Sequence, residues 1–206
     1  MTLSEADRLE ALWSGDFGND YVERNLRAYN ERGDFWTSLL SVMKLDNVLE
    51  VGCNVGGNLQ WAAQVLPPEN IVGVDVNRKA LDELCDKIPG VHGVHSSARE
   101  LPFADQSCDL VFTMGVLIHQ PDESLPTVMD EMARVAGRYV LIGEYFGEET
   151  TEVPYRGYRN ALFRRDYGGL FAQRFSGTFQ LAFSGFLGTE DGFDNVTWWL
   201  FERTAA

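Results

Sequence analysis

Val48-Leu49-Glu50-Val51-Gly52-Cys53-Asn54-Val55-Gly56-Gly57-Asn58-Leu59 reads as a buried strand, a glycine-rich turn and the opening of a helix. Glycine lets the backbone bend tightly and pass close to a ligand without a Cβ clash. The helix that follows turns free N–H groups toward whatever sits there. Nineteen residues after Gly56 comes Asp75, at the end of a second apolar run, Ile71-Val72-Gly73-Val74. A carboxylate at that distance is placed to accept hydrogen bonds from a ribose diol. A glycine turn alone is a common strand-to-helix connection. The turn and the acid together point to a ligand that contains a nucleoside.

Outward from this segment, strands and helices alternate. Strands are expected at Asn47 to Val51, Ile71 to Val76, Val91 to His95, Asp109 to Met114 and Tyr139 to Gly143. Helices are expected at Asn58 to Leu66, stopped by Pro67-Pro68, at Arg78 to Lys87, ended by Pro89-Gly90, and at Glu123 to Val135. This alternation argues for a parallel sheet covered on both faces. Upstream, Leu3 to Trp13, Tyr21 to Arg32 and Phe35 to Met43 read as three helices forming a cap. Downstream, Asn160 to Phe175 reads as helical. Phe179 to Leu187 and Val196 to Arg203 read as an aromatic-rich hairpin around Gly188-Thr189-Glu190-Asp191-Gly192. No repeat or linker divides the 206 residues, so one domain is expected, with residues 1–45 as the helical cap and 46–206 as the α/β core.

Composition narrows the partners. Hydrophobic residues make up 45% and charged residues 23%, as in ordinary folded proteins. No apolar run approaches the length of a membrane span. The acidic, helical N-terminus does not read as a signal peptide, which favours the cytoplasm. Thirty-one acids against 17 bases leave a net charge of −14, a surface that repels phosphate backbones and makes nucleic acid a poor partner. Cys53, Cys85 and Cys108 have neither disulfide nor metal-ligand spacing and read as reduced, mostly buried thiols. His92 and His95 flank a strand without further ligands, so no metal site is expected. A monomer or homodimer acting on a small molecule fits these bounds.

The segments VLEVGCNVGGNL, VGVDVN, LPFADQSCDLVFTMGVLIH and RYVLIGEY resemble, in order, the class I S-adenosylmethionine-dependent methyltransferases. LWSGDFGNDYVERN, PYRG and WWLFER resemble a narrower group, the pseudaminic acid biosynthesis-associated methylases. The resemblance covers nearly the whole chain. It implies a Rossmann-like seven-stranded sheet with the last strand antiparallel, and S-adenosylmethionine across the carboxyl ends of the first strands. It implies that Glu50 and Gly52 line the methionine end of the cofactor, with Cys53, Asn54 and Gly56 in the turn beside them. Asp75 and Val76 would hold the ribose, Ser97 and Ala98 the adenine, and Met114 and Gly115 would face the sulfonium. Two positions depart from the pattern. Asn54 stands where the family has its second glycine, and asparagine tolerates a left-handed backbone. Ser97 stands where the family often has aspartate; serine can still meet an adenine amino group.

Methyl transfer from a sulfonium releases a neutral thioether, so alignment and, for some acceptors, removal of a proton are what the protein supplies. His119 after the fourth strand is a candidate base, with packing under the cofactor as the competing role. Glu144 and Tyr145 follow the fifth strand at the ligand end, where Glu144 can orient an amine or hydroxyl or simply be solvated. Tyr21 and Arg24, one turn apart, are expected at the cofactor carboxylate. Tyr155 and Arg156 in Pro154-Tyr155-Arg156-Gly157 are expected at the substrate, where arginine can grip a carboxylate with two prongs. Trp13, Phe17 and Trp36 are expected either as an aromatic lid over the sulfonium or as packing between cap and sheet.

Three functions compete at this level. The first is methyl transfer to a sugar or specialised-metabolite intermediate. The second keeps the cofactor but has its amine attack its own γ-carbon, giving azetidine-2-carboxylate and methylthioadenosine. A cyclase of that kind needs no pocket for a second substrate. The third is a non-catalytic cofactor-binding subunit.

Overall fold

The computed structural model describes residues 3–26 and 32–204. Its centre is a sheet of seven strands in the order β3-β2-β1-β4-β5-β9-β8. β1 (Val48–Val51) pairs in parallel with β2 (Ile71–Asp75) on one side and β4 (Cys108–Met114) on the other. β3 (His92–His95) extends β2 in parallel, and β5 (Ala136–Glu144) extends β4. β9 (Val196–Arg203) runs antiparallel to both β5 and β8 (Phe179–Leu187), so the last strand is the reversed one, as expected. A separate two-residue pair, β6 (Thr151–Glu152) and β7 (Phe163–Arg164), lies outside the sheet.

All four residues of β1 are buried, as a strand covered on both faces requires. Alternate side chains enter opposite cores. Leu49, Val51 and Val111 pack with Met129 and Met132 of α6 (Leu125–Val135) and with Phe171 of α7 (Tyr167–Arg174). Val48, Leu110 and Phe112 pack on the other face with Trp36 of α3 (Gly33–Val42), Leu59 of α4 (Leu59–Ala62) and Leu84 of α5 (Arg78–Lys87). Strand order reverses between β1 and β4, which opens a crevice at their carboxyl ends.

Several boundaries differ from expectation for local reasons. The second cap helix, α2, runs Asp16–Asn25 rather than starting at Tyr21, because Gly15 is extended and separates it from α1 (Glu5–Ser14). Residues 27–31 of the expected Tyr21–Arg32 helix lie outside the described residues, and Arg32 precedes α3. The Asn160–Phe175 stretch is not one helix. β7 occupies its start, and α7 begins only where Asp166 Oδ1 accepts from the Gly169 amide at 2.8 Å. α6 starts at Leu125, after a turn in which the Ser124 and Leu125 amides donate to the Pro121 carbonyl. Cys53 and Cys108 are buried but Cys85 is exposed, against the expectation for that thiol.

One side chain ties the cap to the core. Asn77 caps α5, its Oδ1 accepting from the Ala80 amide at 3.0 Å. Its Nδ2 donates to the Trp13 carbonyl and to Asn19 Oδ1, both at 3.0 Å. A Cβ at Gly18 would stand 1.7 Å from the Trp13 carbonyl oxygen, so glycine lets the helices close over this point. Asn77→Ala removes an N-cap and two buried hydrogen bonds. It is expected to cost about 2–3 kcal/mol in urea unfolding and to speed proteolysis of residues 3–26. A loss under about 0.5 kcal/mol with unchanged proteolysis would show that Asn77 does not couple cap to core.

Candidate active site

The crevice is roofed by α1 and α2 and has a cavity volume of about 140 Å³. Its floor is the turn after β1. Gly52, Asn54 and Gly56 have φ of +72°, +48° and +72°. Gly52 must lack a side chain, since a Cβ would stand 2.4 Å from Val116 Cγ2. Asn54 adopts the left-handed backbone that the sequence argument required of it. The amides of Gly52 and Cys53 both donate to the Val74 carbonyl, at 2.8 and 3.0 Å, which docks the turn on β2. Asp75 locks it: Oδ2 accepts from the Asn54 amide and Oδ1 from the Asn77 amide, both at 2.9 Å. Burial raises the Asp75 pKa against these amides and a third from Val76.

Glu50, the last but one residue of β1, is 1% exposed and lines the cleft. Its Oε1 accepts from Asn58 Nδ2 at 2.6 Å. Asn58 Oδ1 in turn accepts from Arg32 Nη1 at 3.0 Å and Trp36 Nε1 at 3.1 Å. Burial pushes the Glu50 pKa up to about 8, opposed by the Asn58 bond and the Arg32 charge. Trp36 is thus a core anchor, stacked 4.7 Å from Phe112, and not part of a lid.

The cleft gathers most of the expected cofactor residues: Glu50, Gly52, Cys53, Asn54, Asp75, Val76, Ser97, Ala98, Met114, Gly115 and Tyr21 line it, as does Trp13. Ser97 Oγ donates to Glu10 Oε2 of α1, and Arg99 holds Glu10 and Asp7, so this end of the cleft is closed by the cap. Gly56 faces away from the cleft. A Cβ there would meet Leu84 Cδ1 at 2.3 Å, so its role is helix packing. Arg24 is also displaced from its expected place; it lines an adjoining cavity.

That second cavity, about 290 Å³, shares Tyr21, Arg32, Met114, Gly115 and His119 with the cleft and adds Tyr145, Tyr155 and Arg156. Trp13, expected at the substrate, lines the cleft and not this cavity. Phe17 lines neither. It seals the roof between Trp13 (5.2 Å), Tyr155 (6.0 Å) and Tyr158 (5.1 Å).

The expected catalytic residues separate by surroundings. Glu144 is wholly buried and outside both cavities, because its carboxylate accepts from the amides of Val116, Leu117 and Ile118 at 3.0, 2.9 and 3.2 Å. It anchors the loop after β4 and does not meet a substrate. Tyr145 faces the second cavity, and burial pushes its phenol up to about 12, so it keeps its proton at neutral pH. His119 lies where the cavities join, 4.6 Å from the Trp13 ring and 5.1 Å from Tyr155. Its Nδ1 meets the Ala161 carbonyl, which can only accept, so Nδ1 carries the proton and Nε2 keeps a lone pair. Burial lowers its pKa to about 4, so the ring is neutral throughout the physiological range.

Arg32 and Asn58, neither expected, complete the buried chain to Glu50. Three polar atoms around the cleft lack any partner: Glu50 Oε2, Asn54 Nδ2 and Trp13 Nε1. Buried orphan atoms are rare, and their convergence on one cleft marks a ligand site.

The comparisons with known proteins agree with this geometry. Residues 48–137 match the model of a family described as a methyltransferase domain. The chain is 39% identical over 67 residues to phthiotriol/phenolphthiotriol dimycocerosates methyltransferase 1 of Mycobacterium ulcerans, covering 31% of this chain and 24% of the relative. It is 34% identical over 103 residues to methyltransferase GfsG of Streptomyces halstedii, covering 47% and 36%. The matches thus span about a quarter to a third of these relatives' length. The fold is that of 1,6-didemethyltoxoflavin-N1-methyltransferase of Burkholderia thailandensis, solved with 1,6-didemethyltoxoflavin and S-adenosylhomocysteine (TM-score 0.74, 15% identity, 100% of this chain and 93% of that one). Magnesium protoporphyrin IX methyltransferase of Synechocystis PCC 6803 with bound SAM is similar in fold (TM-score 0.70, 17% identity, 98% and 99%).

Glu50 sets a pH dependence. In the folded chain its carboxyl keeps a proton up to about pH 8, whereas unfolded it releases one near about 4.3. Folding therefore takes up a proton across this window, and rising pH weakens the fold. Between about pH 6.5 and 8 the protein is expected to lose about 2 kcal/mol of stability through Glu50. Glu50→Gln should flatten that slope in denaturant titrations run across the range. An equally steep slope in the variant would show that Glu50 is ionised in the folded protein.

Proposed function

We propose that this protein transfers the methyl group of S-adenosylmethionine to a small-molecule acceptor. The observation that carries the reading is the cleft itself. It joins a left-handed glycine turn, Asp75 and three orphan polar atoms at the carboxyl ends of β1, β2 and β4. Asp75 would hold the ribose hydroxyls, each carboxylate oxygen accepting one more hydrogen bond beside the amide it already accepts. Ser97 and Ala98 would border the adenine. Glu50 Oε2 and Arg32 would face the ammonium and carboxylate of the amino-acid end. S-adenosylmethionine, when bound, supplies an electrophilic methyl group on a sulfonium.

This chain's residues would then align and shield. Met114 and Gly115 line both cavities and place an acceptor in the second against a donor in the first. The rings of Trp13, Phe17 and Tyr155 exclude water from the junction. His119, neutral and with Nε2 free to accept, would take up the proton that a hydroxyl acceptor sheds as the methyl group arrives, when that proton is acidic enough for a weakly basic ring.

The second cavity favours transfer between two substrates over cyclisation of the cofactor, which requires no such space. The narrower resemblance to pseudaminic acid-associated methylases supports a sugar or related metabolite as acceptor.

Asp75→Ala is expected to weaken S-adenosylhomocysteine binding more than about tenfold in titration calorimetry, since two hydrogen bonds to a charged acceptor are lost. Unchanged affinity would defeat the ribose assignment. Incubation with S-adenosylmethionine alone is expected to yield no methylthioadenosine above the spontaneous background in mass spectrometry. Enzyme-dependent methylthioadenosine would overturn methyl transfer in favour of cyclisation. Once an acceptor is in hand, His119→Ala should slow turnover about a hundredfold or more if the ring takes the proton. Full activity would remove it as the base.

A further inference from the structure

Charge is distributed against the trend of the molecule in the second cavity. The chain carries 31 acids and 17 bases. Yet Arg24, Arg32 and Arg156 line this one cavity, faced among the described residues by a single carboxylate, Asp194. Arg32 has internal work, donating to Asn58 and, through Nε, to the Gly192 carbonyl at 2.9 Å. The ties of Arg24 and Arg156 are to aromatic residues, Arg24 over the Tyr21 and Phe17 rings and Arg156 at the Tyr155 phenol. Neither is within ion-pair distance of a carboxylate among the described residues. They come from distant parts of the chain, one from α2 of the cap and the other from the loop between β6 and β7, and both act on the Tyr155 phenol. Arg156 does so by hydrogen bond and charge, Arg24 by charge.

The positions of both arginines are held. The Arg24 guanidinium carbon lies 5.6 Å from the Tyr21 ring centroid and 6.0 Å from that of Phe17. Arg156 has φ of +50° in the turn where the Tyr158 amide donates to the Tyr155 carbonyl at 2.9 Å. A non-glycine residue in the left-handed region is held there only when its surroundings require it. The remaining walls mix the rings of Tyr21, Tyr145, Tyr155, Phe193 and His119 with aliphatic side chains such as Ile118 and Leu162.

We propose that the second cavity binds an acceptor carrying a carboxylate or phosphate, its oxyanion held by Arg24 and Arg156 and its body stacked among Tyr145, Tyr155 and His119. Two planar guanidiniums give the donor geometry that such an oxyanion matches. The anion then sits at the outer end of the cavity, and the reacting atom reaches the Met114–Gly115–His119 junction. The assignment rests on the cofactor reading of the neighbouring cleft only for which end reacts; the anion site stands on the cavity's own residues.

The test uses benzoate and phenyl phosphate as probes, with benzamide as the neutral control. Binding is read by ligand-observed NMR on the full chain, both alone and saturated with S-adenosylhomocysteine. Benzoate or phenyl phosphate is expected to bind, benzamide to bind at least about tenfold more weakly, and Arg24→Gln with Arg156→Gln to abolish the difference. Which of the two probes prevails tells carboxylate from phosphate. S-adenosylhomocysteine affinity, measured on the same variants, is expected to stay within about twofold. The proposal is overturned if benzamide binds as well as the anions. It is also overturned if the paired substitution weakens S-adenosylhomocysteine and leaves the anions untouched, since the arginines would then serve the cofactor. Should S-adenosylhomocysteine fail to bind the unaltered chain, the cofactor reading falls, and anion binding to the chain alone still decides this one.

Discussion

Three left-handed residues within five positions, Gly52, Asn54 and Gly56, bend the chain out of β1, and most of the site depends on that bend. The turn can lie flat on β2 only because Gly52 has no side chain to strike Val116, and because two of its amides share the Val74 carbonyl. Its position places the Asn54 amide on Asp75, so the acid is oriented by the turn it stabilises. It also starts α4 at the point where Asn58 reaches back to Glu50. Moving the turn would break the Asp75 contacts and the Glu50 chain together.

The cap is attached through the same elements. Asn77, two residues past Asp75, caps α5 with one side-chain atom and holds Trp13 and Asn19 with the other. Glu10 of α1 reaches Ser97 and Arg99 after β3. The roof is therefore fastened at the strand ends that make the floor. A ligand lying between them contacts both, so ligand binding and cap closure are thermodynamically linked. The Trp13, Phe17 and Tyr155 rings extend the roof over the junction of the two cavities, where water would compete with an acceptor.

What could be read from the chain was what depends on local backbone and on period. Glycines in a strand-to-helix turn, an acid nineteen residues on, and runs of apolar residues between proline stops all carry their meaning in sequence. They located the sheet, its reversed last strand and the floor of the cleft. Side-chain direction was not readable. Glu144 stands at the ligand end of β5 whether it faces the cleft or turns back to three amides of the β4 loop, and only packing selects the second. Arg32 looked like the tail of a helix because its partner Asn58 lies 26 residues away. Trp36 looked like a lid because aromatic residues in a cap have no sequence mark that separates roof from core. The short α4 and the divided 160–175 stretch show tertiary contacts overriding helical pattern.

The charge pattern reconciles two facts that conflict at first sight. A chain of net charge −14 repels anions at a distance, which would disfavour an acidic acceptor. That repulsion is screened beyond about 8 Å at physiological ionic strength, whereas contacts inside a half-enclosed cavity are screened far less. Arg24 and Arg156 line that cavity but are themselves exposed, so what they would give a small anion comes from direct contact and not from a low dielectric. The acidic exterior then works as a filter. Polyanions such as nucleic acids, which must contact a wide surface, would meet that repulsion in full, while a small anion that fits the cavity would lose little on approach and gain two guanidiniums on arrival. On this account added salt weakens binding of a small anion through the arginine contacts more than it helps through relief of surface repulsion. Selectivity between large and small anions is greatest at low ionic strength.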